Sequence, residues 1–254
     1  MPQHGHTPLA EDEGGGGSSL KSAGANRAHD DGSGTPSKIA MFAIGTVGQA
    51  AAIWIVCGGV RTVGGWLGES WDDLKSDGRA AAMAVAIVLM WLKQLISLKW
   101  VIKRRIDWSE SIGLSITMAI IFVGYAIAAA TQGPSSISAL DGVGCALFLL
   151  GWGLSTGCEL QRMWWKADPK NKGKCYTGGL WAYSMHMNYF GETLLYIGLT
   201  MLTCVWWLGF LPLLMFLSFI FFHIPALDAY LLERYGDEFE QYAASTKKYV
   251  PFVY

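Results

Sequence analysis

Six stretches of this chain, residues 39–60, 80–102, 112–130, 143–158, 189–207 and 208–224, are apolar over a length that crosses or nearly crosses a bilayer. A helix needs about 20 apolar residues to span a hydrocarbon core roughly 30 Å thick. Within that core each backbone N–H and C=O must find a partner inside its own segment, so such a segment is helical. The sequence therefore predicts an all-α, polytopic transmembrane helix bundle of about six spans. Composition agrees, since 52% of the residues are hydrophobic and only 15% charged, too few charges to coat a soluble domain of this size. The last two stretches abut, and Gly209 and Pro212 supply the expected hairpin turn between them.

Lysine and arginine on the connections set the expected orientation, because short basic loops stay cytoplasmic. Lys99, Lys103, Arg104 and Arg105 follow the second stretch, residues 132–140 carry no basic side chain, and Arg162, Lys166, Lys170, Lys172 and Lys174 follow the fourth. This alternation places both termini in the cytoplasm. The first connection mixes Glu69, Asp72, Asp73 and Asp77 with Arg61, Lys75 and Arg79, as suits the opposite face, with Trp66 and Trp71 at that interface. A net charge of -1 gives no basic excess for nucleic acid. The expected partners are the lipid bilayer and a hydrophobic small-molecule substrate.

Residues 1–38 are rich in Gly, Ser, Asp and His, offer little to bury, and are expected to form a disordered tail. Residues 39–158 are expected as a four-helix membrane half and residues 159–254 as a C-terminal domain with a cofactor cleft. The five cysteines are scattered, without a Cys-x-x-Cys pair or a Cys/His cluster, so neither a disulfide framework nor a metal site is expected. Gly153 and Gly157 form a G-x-x-x-G step, and Gly45, Gly48 and Ala52 put small residues on the first span; both are read as close helix packing. Gly58-Gly59 and Gly64-Gly65 lack the strand and helix context of a phosphate loop.

The chemistry is expected between Glu159 and Glu192. Asn188, Glu192 and Tyr196 are four apart and share one helical face, where burial in the bundle satisfies them better than lipid would. A carboxylate at that depth is a functional-site candidate. The neighbouring cations suit phosphates, and an amide such as Asn188 can donate and accept at once; orientation alone accounts equally well for any one loop lysine. Tyr125, mid-span, is the candidate catalytic acid, against simple packing or a backbone hydrogen bond. His223 stands at the end of the last span, and Leu227, Tyr230, Leu231 and Arg234 follow at helical spacing, as in a segment lying on the membrane surface.

Within this stretch Lys166-Ala167-Asp168-Pro169, Asn171-Lys172-Gly173-Lys174, Gly178-Gly179-Leu180-Trp181, Tyr183-Ser184 and Asn188-Tyr189-Phe190-Gly191-Glu192 resemble the C-terminal domain of the steroid 5-alpha-reductase and sterol reductase superfamily. Arg234-Tyr235-Gly236, Phe239, Tyr242 and Pro251-Phe252-Val253-Tyr254 are similar to the ending of sterol reductases. The resemblance covers about residues 159–254, is weak at Trp91-Leu92-Lys93, which echoes a Trp-x-x-Arg pattern, and is absent before that. It implies an oxidoreductase that reduces a C=C bond of a sterol, steroid or related isoprenoid lipid with NADPH, the protein orienting the cofactor. Asn188 and Tyr189 would then contact the nicotinamide and ribose end, Glu192 would fix that pocket, and Arg162, Lys166, Lys172, Tyr242 and Lys247 would flank the phosphates. Trp181 and His186 are counted with the cofactor-binding group. The endoplasmic reticulum is the default compartment for such a lipid-metabolising protein.

The same superfamily contains isoprenylcysteine carboxyl methyltransferases and phospholipid methyltransferases, which use S-adenosylmethionine and usually carry Arg-His-Pro where this chain has Met185-His186-Met187. Loss of the Arg removes a cation for the cofactor carboxylate, and loss of the Pro relaxes the helix start. Methyl transfer is accordingly the alternative reading, and an inactive relative serving as a lipid-binding or scaffold protein is another.

Overall fold

A computed structural model of the chain describes residues 34–71, 76–132 and 134–254. Five helices are long and apolar enough to cross a membrane: α1 (Thr35–Leu67), α2 (Asp77–Val101), α3 (Trp108–Thr131), α4 (Ala139–Ala167) and α6 (Trp206–Tyr235). Between the last two lies α5 (Met187–Thr203), whose 17 residues rise about 25 Å, a little short of the hydrocarbon thickness. A short α7 (Asp237–Ser245) follows. The expected helical membrane bundle is therefore present. Ser37 and Lys38, expected in the tail, belong to α1; residues 1–33 of that tail lie outside the described residues, as do Asp72, Asp73 and Lys75 of the first connection.

One apolar core draws on all five helices from α1 to α5, through Ala52, Ile87, Tyr125, Phe148, Leu195 and Leu199 among others. Large apolar side chains also point outward, Val47, Ile120, Leu149 and Phe222 among them, as a helix surface facing lipid requires. The expected boundary after Cys158 falls inside α4, so Glu159, Arg162 and Lys166 sit on its last turns and not on a loop.

Glycine makes the close contacts, although at other positions than the expected G-x-x-x-G step. A Cβ on Gly151 would stand 2.5 Å from the Gly191 carbonyl oxygen, and one on Gly198 would stand 2.5 Å from the Gly144 carbonyl oxygen. These pairs, seven residues apart on each helix and running in opposite directions, bring the antiparallel backbones of α4 and α5 together. Gly153 has nothing within 4 Å of such a Cβ, and Gly157 only the Leu180 side chain at 3.8 Å, so that step faces away from α5. On α1 the expectation holds, since Gly45 lies against the Gln94 side chain of α2 and Gly48 against Ala119 of α3. Gly58-Gly59 forms a kink in α1, where Gly58 has a φ of 114° that a side chain would oppose and Gly59 lies under the Trp54 ring.

Two further corrections concern α6. Its turn from α5 is made at Cys204, left-handed with φ 55°, where Thr203 Oγ1 accepts from the Val205 amide at 3.1 Å; Gly209 and Pro212 are already helical. Nor does a separate surface segment follow the span. The helix runs on to Tyr235 through a wider turn at Phe219–His223, which makes room for Pro225, whose ring would otherwise meet the carbonyl four residues before it.

Hydrogen bonds show which connections share an end. Ser37 Oγ donates to the Ile106 carbonyl (2.5 Å), Ser111 Oγ to the Ser37 carbonyl (2.6 Å), and the Met185 amide to the Lys247 carbonyl (2.8 Å). Together with the contacts of the site below, these gather the start of α1, the basic segments after α2 and α4, and the C-terminal segment at one end. At the opposite end Arg79, which the sequence placed among loop charges, is wholly buried. Its guanidinium donates to both oxygens of Asp141 (2.9 and 3.2 Å) and to the Pro134 carbonyl (3.0 Å), while Asp141 closes a capping box with Ser138 at the start of α4.

Candidate functional site

The candidate site surrounds the first turns of α5. Asn188 faces α4, where its Nδ2 donates to Glu159 Oε1 at 3.0 Å, and one turn on Glu192 forms an ion pair with Lys93 of α2. Glu159 also pairs with Arg162, whose guanidinium lies 5.5 Å from the centre of the Trp181 ring. Lys93, Glu159, Arg162, Asn188 and Glu192, drawn from three helices, thus form a polar cluster beside the start of α5, the polar ring. Two oxygens are buried and without a hydrogen-bond partner, the amide oxygen Asn188 Oδ1 within it and the hydroxyl Thr156 Oγ1 one turn before Glu159.

The other side of the same turn faces α6. His186 is wholly buried, and its Nε2 lies 2.8 Å from Asp228 Oδ1. The second oxygen of Asp228 lies 3.0 Å from Lys248 Nζ, while His186 Nδ1 is buried without a partner. The His186 ring stacks on Tyr189 at 5.6 Å, and Tyr189 stacks on Phe219 of α6 at 4.4 Å. Below them Tyr249 bonds to Thr193 Oγ1 at 2.5 Å, and burial pushes its phenol up to about 12.

With this geometry in view, two similarities bear on the chain. The family described as a protein of unknown function, DUF1295, matches residues 111–246, from α3 into the last residues after α7. The chain belongs to the DUF1295 family. In addition, the probable O-methyltransferase ustE of Ustilaginoidea virens is 36% identical over 93 residues, which is 36% of this chain and 32% of that protein. The chain thus matches about a third of that relative's length.

The DUF1295 region holds most of the residues that the sequence singled out, and the structure sorts them. Arg162, Asn188 and Glu192 share the ring, and His186 and Tyr189 adjoin it. Trp181 and Tyr242 stand behind it as supports: the indole donates to the Cys158 carbonyl (2.8 Å), and the Tyr242 hydroxyl donates to the Trp181 carbonyl (2.6 Å). Burial raises the Tyr242 phenol as well, which keeps it a neutral donor. Lys166 is engaged by the Tyr235 hydroxyl at 2.9 Å and the Lys174 carbonyl, whereas Lys172 and Lys247 are exposed.

Tyr125 stands apart from all of these. Its hydroxyl lies 2.9 Å from Thr200 Oγ1, and Thr200 is 12 residues, or about 18 Å of helix, beyond Asn188. It lines a cleft of about 480 Å³ with Trp71, Gly124, Gln132 and Leu208, toward the opposite end of the bundle. That cleft and the polar ring are separate places, and the ring holds the ionisable side chains. Four contributors escaped the sequence reading: Lys93 and Glu159, whose helices bring them in from a distance, and Asp228 and Lys248. The signal for Glu159 was its spacing of three from Arg162; for Asp228 there was only an acid following a long apolar run.

Proposed function

We propose that this protein is a membrane enzyme that transfers a methyl group from S-adenosylmethionine, held at the polar ring, to a hydrophobic molecule dissolved in the bilayer. The observation that carries this reading is the pair of buried, unpartnered oxygens, Asn188 Oδ1 at the start of α5 and Thr156 Oγ1 on α4. Asn188 has committed its N–H to Glu159 and presents only Oδ1, Thr156 presents Oγ1, and the cations Lys93 and Arg162 are neutralised by Glu192 and Glu159. Such a wall offers lone pairs more than charge for phosphates, which suits a cofactor bearing sulfonium and ammonium charges and N–H donors. When bound, S-adenosylmethionine supplies an electrophilic methyl group. With Met185 where an Arg is usual, Arg162 would meet the single cofactor carboxylate through the guanidinium N–H groups that Glu159 does not take. The similarity to a probable O-methyltransferase supports the same class of reaction.

A second reading, reduction of a C=C bond by NADPH, is supported by the Asn188-Tyr189-Phe190-Gly191-Glu192 block and by the exposed Lys172 and Lys247, which are available to phosphates. Calorimetric titration of the purified protein with each cofactor separates the two. S-adenosylmethionine is expected to saturate, with Asn188→Ala weakening it about tenfold, the worth of one hydrogen bond. Saturation by NADPH alone would replace methyl transfer with reduction, and saturation by neither would end the enzymatic reading.

A further inference from the structure

Asp228 lies against His186, and Lys248 in turn against Asp228, outside the polar ring. A carboxylate only accepts, so the 2.8 Å contact to Asp228 puts a hydrogen on Nε2, and in the neutral ring Nδ1 is left as a bare acceptor. That nitrogen is buried and unpartnered, a state that costs about 1–3 kcal/mol and that a purely structural histidine avoids by bonding through both nitrogens. The ring is further fixed by stacking on Tyr189 at an interplanar angle of 6°, and Tyr189 in turn stacks on Phe219 at 11°. Phe221 and Phe222, next along α6, are exposed on the lipid side. A stack of aromatic rings therefore joins the outer face of α6 to His186, two residues before Asn188 at the start of α5. A carboxylate behind an imidazole, fixing its tautomer and leaving the far nitrogen free, is the arrangement that makes histidine a general base.

We propose that His186 is the general base for a bilayer-dissolved phenol or alcohol, with Asp228 and Lys248 as positioning residues; this rests on the methyl-transfer reading and narrows its substrate to a hydroxyl compound. A phenol with a pKa of about 10 is almost wholly protonated at neutral pH, so its oxygen needs such help. As the O–H bond breaks, the proton passes to His186 Nδ1 and the oxygen electron pair forms the new bond to the methyl carbon. The carbon–sulfur bond of the methylsulfonium donor breaks with its electrons going to sulfur, and the imidazolium later releases its proton to water.

The test begins without any methyl donor. The probe 4-nonyl-2-nitrophenol, coloured when ionised, is added to the purified full-length protein one pH unit below the probe's solution pKa, where roughly a tenth of it is ionised. The bound probe is expected to be mostly ionised on the unmodified protein and to fall to the free value with His186→Gly, a substitution tolerated at a helix N-cap. Added imidazole should restore the colour, and Asp228→Asn should give an intermediate value. Equal ionisation on the unmodified protein and His186→Gly would overturn the proposal. With labelled S-adenosylmethionine, methylation of 4-nonylphenol is expected to fall by about 10²–10⁴-fold in His186→Gly and to recover with imidazole. Methylation of palmitate but not nonylphenol by the unmodified protein would also overturn it, leaving methyl transfer intact. Failure of S-adenosylmethionine to bind in calorimetry would instead overturn the methyl-transfer reading itself.

Discussion

Tyr125 illustrates how a residue's role follows from its neighbours. Its hydroxyl is shared with Thr200, and Thr200 Oγ1 in turn donates to the Tyr196 carbonyl at 2.9 Å, a self-contained chain inside the core. Tyr125→Phe is expected to lower stability by about 1 kcal/mol, seen as earlier thermal unfolding in detergent, with cofactor affinity unchanged. Arg79 is the stronger case, because removing one partner leaves a buried charge. Arg79→Met should cost about 3–5 kcal/mol, whereas Arg79→Met with Asp141→Asn should recover much of it. Asn188 and Glu192 were legible in the sequence because polar side chains in an apolar run need a reason. Their partners were not, since Lys93 is 99 residues from Glu192 and Asp228 is 42 from His186, and no local pattern encodes such pairings.

Helix packing separates what a motif says from where it faces. Gly153-x-x-x-Gly157 satisfies the small-residue pattern, but the face that meets α5 is set by Gly144 and Gly151, which the spacing of four does not select. Gly191→Ala should therefore destabilise the protein by about 1–3 kcal/mol, because the added methyl would stand 2.8 Å from the Gly151 carbonyl oxygen. Gly153→Ala, with open space around it, is expected to be neutral or to stabilise by up to about 1 kcal/mol through helix propensity. Thermal unfolding of the two variants side by side checks both. The spans themselves were legible from hydropathy, while their ends were not: α4 extends to Ala167 because Glu159, Arg162 and Lys166 are good helix formers, and charge alone does not end a helix.

At the scale of the molecule, the two ends of the bundle differ in kind. One gathers the basic segments, the polar ring and the C-terminal strap, and the other is tied by Arg79 and Asp141. From the positive-inside tendency the basic end is expected in the cytoplasm. Ser136→Cys, on the connection beside Arg79, should then be labelled by an impermeant maleimide only from the far side of the membrane, whereas a tag at either terminus should be reached only from the cytoplasm. Labelling of Ser136→Cys from the cytoplasmic side would invert the expected topology and put the polar ring on the far face.

The 30 residues of α6 reach about 45 Å, half as long again as the hydrocarbon layer, and carry Asp228 on the same continuous helix that exposes Phe221 and Phe222 at its wider turn. A membrane that thickens or thins changes how far such a rod stands proud of the surface and how steeply it leans. Any such change of lean would be felt at Asp228, and so at the His186 ring 2.8 Å from it.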